Sequence, residues 1–145
     1  MILHEEKIVQ KSYICKEDIS SLLDFSKNSL IFFTYFNNRS LDVVKTHFYN
    51  VIIYYEDLPI SYGHLDLDEK GILWLGILVR DNYQGFGFGK RTMELLLDKF
   101  KLSSHTTLNL CVNNQNIKAQ KLYQFYNFRL VDIDDKNQYY QLKKD

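Results

Sequence analysis

The sequence predicts an α+β fold, with a mixed, mostly antiparallel central sheet flanked by helices. Short runs of branched and aromatic apolar residues, separated by polar turns, recur along the chain and are typical of strands. Other segments place apolar residues at the i, i+3, i+4, i+7 spacing of amphipathic helices. The chain has 145 residues, of which 46% are hydrophobic and only one is proline. It is therefore long enough to bury one core, and we expect residues 1–145 to form a single domain.

The expected elements follow the order strand, two helices, three strands, helix, strand, helix and two strands. Residues 1–14 alternate weakly between apolar and polar and could form the first strand. A helix is expected at residues 16–25, and Ser40 could cap a second, short helix at residues 41–48. The other strands are expected at residues 51–55, 60–67, 72–79, 107–112, 128–133 and 138–142.

The middle of the chain, ILWLGILVRDNYQGFGFGKRTMELLLDKF at residues 72–100, combines three features. An apolar run at residues 72–79 is followed by a glycine at every second position of residues 84–89, and then by apolar residues at helical spacing. A glycine-rich turn at a helix start suits anion binding, because the first N–H groups of a helix are unpaired and its dipole favours negative charge. The stretch therefore predicts a phosphate site, although it could also be only a tight strand-to-helix turn.

The glycine spacing argues against the two best-known phosphate loops. A P-loop requires G-x-x-x-x-G-K-[ST], but Gly85 and Gly89 are one residue too close and Arg91 replaces the Ser or Thr. The dinucleotide fingerprint G-x-G-x-x-G also fails, because Gly89 comes one residue early.

The pattern Q-G-x-G-x-G after an apolar strand resembles the acetyl-CoA pyrophosphate loop of the GCN5-related N-acetyltransferases, the GNAT family. A second motif, N-x-x-A-x-x-L-Y-x-x-Y-N-F at residues 116–128, follows the next expected strand. The family has N-x-x-A-x-x-L-Y-x-x-x-G-F, so this chain departs from it at Asn127, where the family has glycine. Asparagine tolerates positive φ, so the end of the helix can survive this exchange. The resemblance covers roughly residues 50–142 and implies the GNAT fold.

The resemblance also implies an N-acetyltransferase that uses acetyl-CoA as co-substrate. Main-chain groups near Ile77 and Val79 would pair with the pantetheine arm. The N–H groups of the glycine loop would hold the pyrophosphate: Gln84, Gly85, Phe86, Gly87, Phe88 and Gly89. Lys90 or Arg91 could contribute further positive charge, or could be ordinary solvated helix surface. Two loop residues, Phe86 and Phe88, are bulkier than those that the family often has there.

Two residues of the second motif have both a local and a family-based interpretation. Asn116 suits a helix N-cap, and the resemblance implies that it also contacts the cofactor. Tyr123 lies on an apolar helical stripe, so its spacing alone favours a core aromatic. The resemblance instead places its hydroxyl near the CoA sulfur as the general acid for the departing thiolate. A phenol with a pKa near ~10 stays protonated at neutral pH and suits that task.

The general base is less well determined by the sequence. Many family members use a glutamate on the central strand, but residues 74–79 contain no carboxylate. His64 and Asp66 are two residues apart in an expected strand and so share a face. His64 could accept a proton from the attacking amine, could be a structural histidine, or could be replaced by a chain of water molecules. The remaining histidines show no metal-ligating spacing, and no metal is expected.

The acceptor site is expected in the N-terminal part, where an aromatic cluster precedes a cation. The cluster and the cation are Phe32, Phe33, Tyr35, Phe36 and Arg39. Together with Asp66, Tyr35, Phe36 and Arg39 are candidate substrate-binding residues, because aromatic rings could stack on a sugar or base and an arginine could hold a phosphate. This favours a small-molecule amine such as a nucleotide-linked amino sugar, and the segment loosely resembles small acetyltransferases of surface-polysaccharide pathways. The aromatics could also simply pack in the core.

Three other functions stay open at this stage. The acceptor could be a protein lysine or N-terminus, the domain could sense acyl-CoA without turnover, or the glycine turn could bind nothing. Eighteen basic and eighteen acidic residues cancel, so neither nucleic acid nor a membrane surface is an expected partner. A homodimer is compatible with such folds.

The remaining signals concern location and cysteine. No apolar run approaches the ~18 residues of a membrane span, and the N-terminus lacks a signal-peptide pattern, so a cytoplasmic protein is expected. Cys15 and Cys111 lack disulfide or metal spacing, and Cys111 is expected to be buried inside its apolar strand.

Overall fold

The computed structural model describes residues 2–12, 15–24, 26 and 35–145. In this part of the chain, seven strands form one sheet and three α-helices flank it. The strands are β1 (Ile8–Lys11), β2 (Tyr49–Tyr55), β3 (Leu58–Leu67), β4 (Leu73–Val79), β5 (Thr107–Asn113), β6 (Arg129–Ile133) and β7 (Asn137–Lys143). The helices are α1 (Lys16–Asp24), α2 (Phe88–Leu102) and α3 (Ile117–Phe125).

The strand order across the sheet is β1-β2-β3-β4-β5-β7-β6. All neighbouring strands are antiparallel except β4 and β5, which are parallel. The crossover between these two strands is α2, as a parallel pair requires. The predicted mixed, mostly antiparallel sheet of the α+β fold is confirmed.

The sheet is packed on both faces, because its central strands alternate their side chains between two apolar layers. On one face, Leu75 of β4 and Leu110 of β5 pack against Leu96 of α2. On the other face, Leu78 of β4 packs against Leu22 of α1. β4 is buried on both faces, and this explains why its sequence is almost continuously apolar.

The segment after Ser40 forms a shorter helix than the sequence predicts. It is a 3₁₀ helix at Leu41–Thr46, and the Ser40 side chain caps it by accepting a hydrogen bond from the Asp42 N–H at 3.2 Å. The backbone becomes extended at His47 and enters β2, so Phe48 lies beyond the helix and is 41% exposed.

The parallel strands β4 and β5 diverge immediately after they meet. Among the described residues, their register contains one pair, Trp74 with Asn109. The Asn109 side chain strengthens this contact by donating from Nδ2 to the Leu73 carbonyl at 3.3 Å. From Leu75 onward, the β5-facing edge of β4 has no ladder partner on β5. The divergence opens a wedge in the middle of the sheet.

Candidate active site

A cleft of about 930 Å³ occupies this wedge and extends to the start of α2. It brings together most of the residues that the sequence analysis selected: Tyr35, Arg39, His64, Asp66, Ile77, Val79, Gln84, Gly85, Gly87, Phe88, Gly89, Asn116 and Tyr123. Four selected residues, Phe36, Phe86, Lys90 and Arg91, do not line it. Phe32 and Phe33 lie outside the described residues.

The glycine loop forms one end of the cleft. Gly85 and Gly87 have φ angles of 85° and 87°, which only glycine adopts readily, and Gly87 is the N-cap of α2. Since Gly87 has no side chain to cap the helix and the first turn contains no acidic residue, the initial N–H groups of α2 remain available to an anion. The loop therefore has the donor set that a pyrophosphate requires.

The two bulky loop residues point away from the cleft. Phe88 is 1% exposed, and its ring packs among residues such as Ile60 and Tyr55, so only its main chain faces the cleft. Phe86 packs against the same cluster. Lys90 is exposed, with its ammonium 4.6 Å from the ring centroid of Phe125. The phenylalanines thus anchor the loop and do not obstruct it.

Tyr123 lies on the opposite wall of the cleft, on α3. Its ring packs against Phe128 and Tyr140 and is 8% exposed. Burial, and secondarily the nearby Cys111, raise the pKa of Tyr123 to about 12. The phenol is therefore protonated at neutral pH, and it makes no hydrogen bond to another described residue.

Both ends of α3 follow the second sequence motif. The Asn116 side chain caps the helix by accepting from the Ala119 N–H at 3.3 Å, as predicted. Asn127 has a φ of 70° and ends the helix in the left-handed conformation, which is also the conformation expected of the family's glycine. The exchange of glycine for asparagine therefore preserves the helix end.

The comparison with known families agrees with this architecture. A family model described as the acetyltransferase (GNAT) family matches residues 16–128, which is most of the chain. The chain belongs to the GNAT acetyltransferase family. No curated protein matches the sequence significantly.

Solved structures show the same GNAT fold at low sequence identity. An N-acetyltransferase from Staphylococcus aureus Mu50 has a TM-score of 0.75 at 16% identity, over 94% of this chain and 98% of its own. YncA of Salmonella typhimurium, solved with its cofactor acetyl-CoA, has a TM-score of 0.77 at 12% identity, over 96% and 95%. The PaiA N-acetyltransferase of Thermoplasma acidophilum, in complex with coenzyme A, has a TM-score of 0.75 at 15% identity, over 94% and 99%.

His64 of β3 also lines the cleft. Its ring is 2% exposed and lies against the β4 main chain, where a Cβ on Gly76 would come within 2.5 Å of Nε2. Gly76 is therefore needed to admit the ring. Burial lowers the pKa of His64 well below its usual value, with further contributions from His47 and Arg39, so the imidazole is neutral at pH 7. Its Nδ1 lies 2.8 Å from the Tyr62 hydroxyl.

Tyr35 connects the two charged residues of this region. Its hydroxyl donates to Asp66 Oδ2 at 2.9 Å, and its ring lies under the Arg39 guanidinium, 4.2 Å from Cζ to the ring centroid. Burial and the hydrogen bond to Asp66 raise the pKa of Tyr35 well above its usual value. Arg39 donates to the Tyr35 carbonyl at 2.8 Å and forms no salt bridge with a described carboxylate. Both a cation and an anion thus line the cleft.

Phe36 lies behind this surface. Its ring packs edge-on against Tyr35 and also contacts the α1 cluster around Tyr62. Its position agrees with the core-packing alternative for this aromatic residue.

The structure corrects the prediction for Cys111. It was expected to be buried, but it is exposed. In β5, Leu110 and Val112 point into the core, and strict alternation directs Cys111 to the opposite face, where it lines the cleft. The strand is buried mainly on one face, so an apolar run did not imply burial of every residue.

Several residues at the site were not selected from the sequence. Gly76 had a usable signal, since glycine inside an apolar strand often marks a close approach. Trp74 lines the cleft and donates from Nε1 to Asp68 Oδ2 at 2.9 Å. His47 and Asn50 had no local signal, because they connect to the cleft through Tyr35, which contacts His47 only in the folded chain.

Two further observations concern metals and membranes. The described residues contain no group of three or more His, Cys, Asp or Glu placed to hold a metal ion. Within the same residues, no helix has the length and apolar character needed to cross a membrane.

Proposed function

We propose that this protein transfers an acetyl group from acetyl-CoA to a primary amine of a small molecule, by direct attack in a ternary complex. The observation that supports this most strongly is the wedge between β4 and β5, which leads from the glycine loop to Tyr123. It offers an unpaired strand edge for an amide-bearing arm, N–H donors for a pyrophosphate and a phenol for a leaving thiolate.

The co-substrate fits this donor set. Acetyl-CoA supplies an activated acetyl thioester. The main chain near Ile77 and Val79 would bind its pantetheine amides as a neighbouring strand would, and an N–H there would donate to the thioester oxygen as negative charge develops. The N–H groups from Gln84 to Gly89 would hold the pyrophosphate. Asn116, at the start of α3, would contact the cofactor from the other wall.

Tyr123 would protonate the departing thiolate. A pKa of about 12 keeps the phenol protonated at neutral pH, and Tyr123 lines the cleft in which the thiolate would leave. His64 would contact the attacking nitrogen as a neutral hydrogen-bond acceptor, because burial holds its pKa well below the usual value.

The acceptor would carry both an amine and an anionic group. Asp66 would attract its ammonium, and Arg39, whose guanidinium has no salt-bridge partner among the described residues, would bind the anion. The Tyr35 ring lies between these two charges and could pack against a sugar. A nucleotide-linked amino sugar has this combination of groups. An acceptor with these groups is a small molecule, so a protein lysine or N-terminus is the less favoured acceptor.

The proposal is tested by acetyl transfer, followed as thiol release, with matched pairs of amines that differ only in a phosphate group. We expect the phosphorylated amine to have a kcat/KM at least ~10-fold higher, equivalent to about 1.4 kcal/mol from one arginine–phosphate contact. Arg39→Gln should remove the preference. Arg129→Gln, on the exposed strand β6, is the matched control and should keep it.

Two results would contradict the proposal. Acetylation of no amine at all, despite acetyl-CoA binding, would indicate a sensor. Equal kcat/KM values for both members of each pair would contradict the hypothesis of an anionic acceptor but not the acetyltransferase activity.

A further inference from the structure

A hydrogen-bonded chain connects the cleft to His47. Asp66 Oδ2 accepts from the Tyr35 hydroxyl at 2.9 Å, and the same hydroxyl lies 2.5 Å from His47 Nε2. Behind His47, its Nδ1 lies 2.6 Å from Asn50 Oδ1. The chain therefore runs from a carboxylate in the cleft, through a phenol, to an imidazole.

Asn50 determines which nitrogen of neutral His47 carries the hydrogen. The Asn50 amide nitrogen donates to the Val44 carbonyl at 2.8 Å, so its oxygen must be the atom that faces His47. An amide oxygen only accepts hydrogen bonds, so His47 Nδ1 must be the donor. In the neutral ring the lone pair is then on Nε2, directed at Tyr35.

The Tyr35 hydroxyl has one proton and two acceptors. With His47 neutral, that proton can bond either Nε2 or Asp66, and the other acceptor is left without it. When His47 gains a proton, Nε2–H donates to the Tyr35 oxygen and the Tyr35 O–H donates to Asp66. Every member of the chain is then paired with a complementary partner. The geometry therefore suits the uptake of one proton.

We propose that Asp66, Tyr35 and His47 form a proton relay that deprotonates the ammonium of the acceptor before acetyl transfer. This inference rests on the proposed function. The ammonium gives its proton to the Asp66 carboxylate, Asp66 passes it to the Tyr35 oxygen, and Tyr35 releases its own proton to His47 Nε2. The N–H electron pair stays on the nitrogen as the nucleophile, and His47 becomes an imidazolium. His47 is half-buried and returns the proton to solvent after the reaction.

The charges around His47 are consistent with this direction of transfer. The titratable and charged groups that face it come from β3 and from the segment at residues 35–39: Tyr35, Arg39, Tyr62, His64 and Asp66. Burial lowers the pKa of His47 below its usual value, while the bond to Asn50 and the charge of Asp66 oppose this effect. His47 is thus neutral and ready to accept at pH 7.

His64 is a poorer place to keep the proton. Its ring centroid is 4.5 Å from that of His47, it is almost fully buried, and each ring disfavours a charge on the other. The two histidines therefore have different tasks: His64 contacts the acceptor as a neutral group, and His47 positions and stores the transferred proton without touching the acceptor.

The coupling can be measured without turnover by ¹⁵N and ¹H NMR titration of the histidine rings. We expect neutral His47 to carry its hydrogen on Nδ1. Its pKa should fall in Tyr35→Phe, which removes the acceptor for Nε2–H, and also in Asp66→Asn, which removes the negative charge. A His47 pKa that is unchanged in both variants, or a hydrogen on Nε2 in the neutral ring, would overturn the relay.

The pH dependence of kcat/KM then tests the role in catalysis. At pH 7, His47→Gln should lower kcat/KM by ~10²-fold, and the loss should shrink about tenfold per pH unit as the acceptor arrives already deprotonated. Tyr35→Phe should behave in the same way. The double variant should be no worse than either single variant, because the residues act as one unit. His4→Gln, at the exposed N-terminus, is the control and should match the parent.

The outcomes separate the two proposals. If His47→Gln and Tyr35→Phe lower kcat/KM equally at every pH, or if their effects multiply in the double variant, the relay is overturned. The proposal of acetyl transfer is unaffected by either result. A parent protein that acetylates no amine would overturn the proposed function, and the relay with it.

Discussion

Tyr123 shows how one side chain can have a structural and a chemical role at the same time. Its helical spacing is that of a core residue, and its ring indeed packs against Phe128 and Tyr140. Tyr123 nevertheless lines the cleft. The burial that the ring needs also raises the pKa of the phenol, so packing keeps the acid protonated. The two interpretations of Tyr123 from sequence are therefore compatible.

The first residue-scale prediction concerns this hydroxyl. Tyr123→Phe should lower kcat by ~10²-fold or more, because the departing thiolate loses its proton donor, while acetyl-CoA affinity stays near that of the parent. Steady-state kinetics and a direct binding assay measure the two effects. Tyr126→Phe is a matched control, since Tyr126 lies three residues later and does not line the cleft. An unchanged kcat in Tyr123→Phe would return this residue to a purely structural role.

The residues of the site differ in how far the sequence could predict them. Asn116 and Tyr123 belong to a spaced motif on one helix, so a single stretch identifies them. His47 could not be found in this way, because its significance depends on Tyr35 and Asp66, which reach it only through the fold. The role of such a residue is determined by hydrogen-bond partners that no local pattern specifies.

At the scale of elements, hydrophobic periodicity located the sheet but not all of its boundaries. β3 begins at Leu58, two residues earlier than predicted, because Glu56 and Asp57 both adopt positive φ and form a two-residue turn. Pro59 lacks an N–H but fits in this strand, because the β2–β3 register shifts beside it, between Ile53 and Tyr54.

The divergence of β4 from β5 is the element-scale feature on which the site depends. Both strands were predicted from their apolar residues, yet periodicity specifies faces and not ladder partners. Only the single Trp74–Asn109 pair reveals that the edge of β4 becomes free. The family resemblance implied main-chain groups near Ile77 and Val79 that are free to pair with the pantetheine arm, whereas the residue pattern alone did not.

At the scale of the whole molecule, a neutral histidine near the centre of the fold makes stability depend on pH. The folded-state pKa of His64 lies well below 6.5, its ordinary value. Below pH 6.5, the unfolded chain therefore binds a proton that the folded chain does not. The free energy of unfolding should fall as pH decreases, with a slope of up to about 1.4 kcal/mol per pH unit, and should be insensitive to this group above pH ~7.

Urea unfolding at several pH values between 7 and 5 measures this slope. His64→Gln should flatten it, whatever the absolute stability of the variant. The half-buried His47, whose pKa is also lowered, should contribute a smaller share of the slope in the same direction. The carboxylates with lowered pKa, such as Asp68, affect stability only below pH ~5 and so lie outside this range. A parent slope that persists unchanged in His64→Gln would contradict the assignment of a buried neutral imidazole.

The acetyltransferase proposal as a whole depends on one site, the anion cradle at the start of α2, and Gly89 allows a direct test of it. A Cβ at Gly89 would make only ordinary contacts, 3.7 Å from Leu122 and 3.9 Å from Val79, so substitution should be tolerated. Gly89→Asp would place a carboxylate among the N–H donors, where it suits the helix dipole but repels a pyrophosphate. Gly89→Asn has nearly the same shape without the charge.

The most direct measurement is therefore the thermal unfolding of the parent, Gly89→Asp and Gly89→Asn with and without acetyl-CoA. Ligand at 100 times its Kd should stabilise the parent by ~2.7 kcal/mol, a rise in Tm of roughly 5–10 °C. Gly89→Asn should keep most of this rise and Gly89→Asp should lose it while remaining folded. No rise in the parent at millimolar acetyl-CoA, or an equal rise in Gly89→Asp, would contradict the proposed cofactor site.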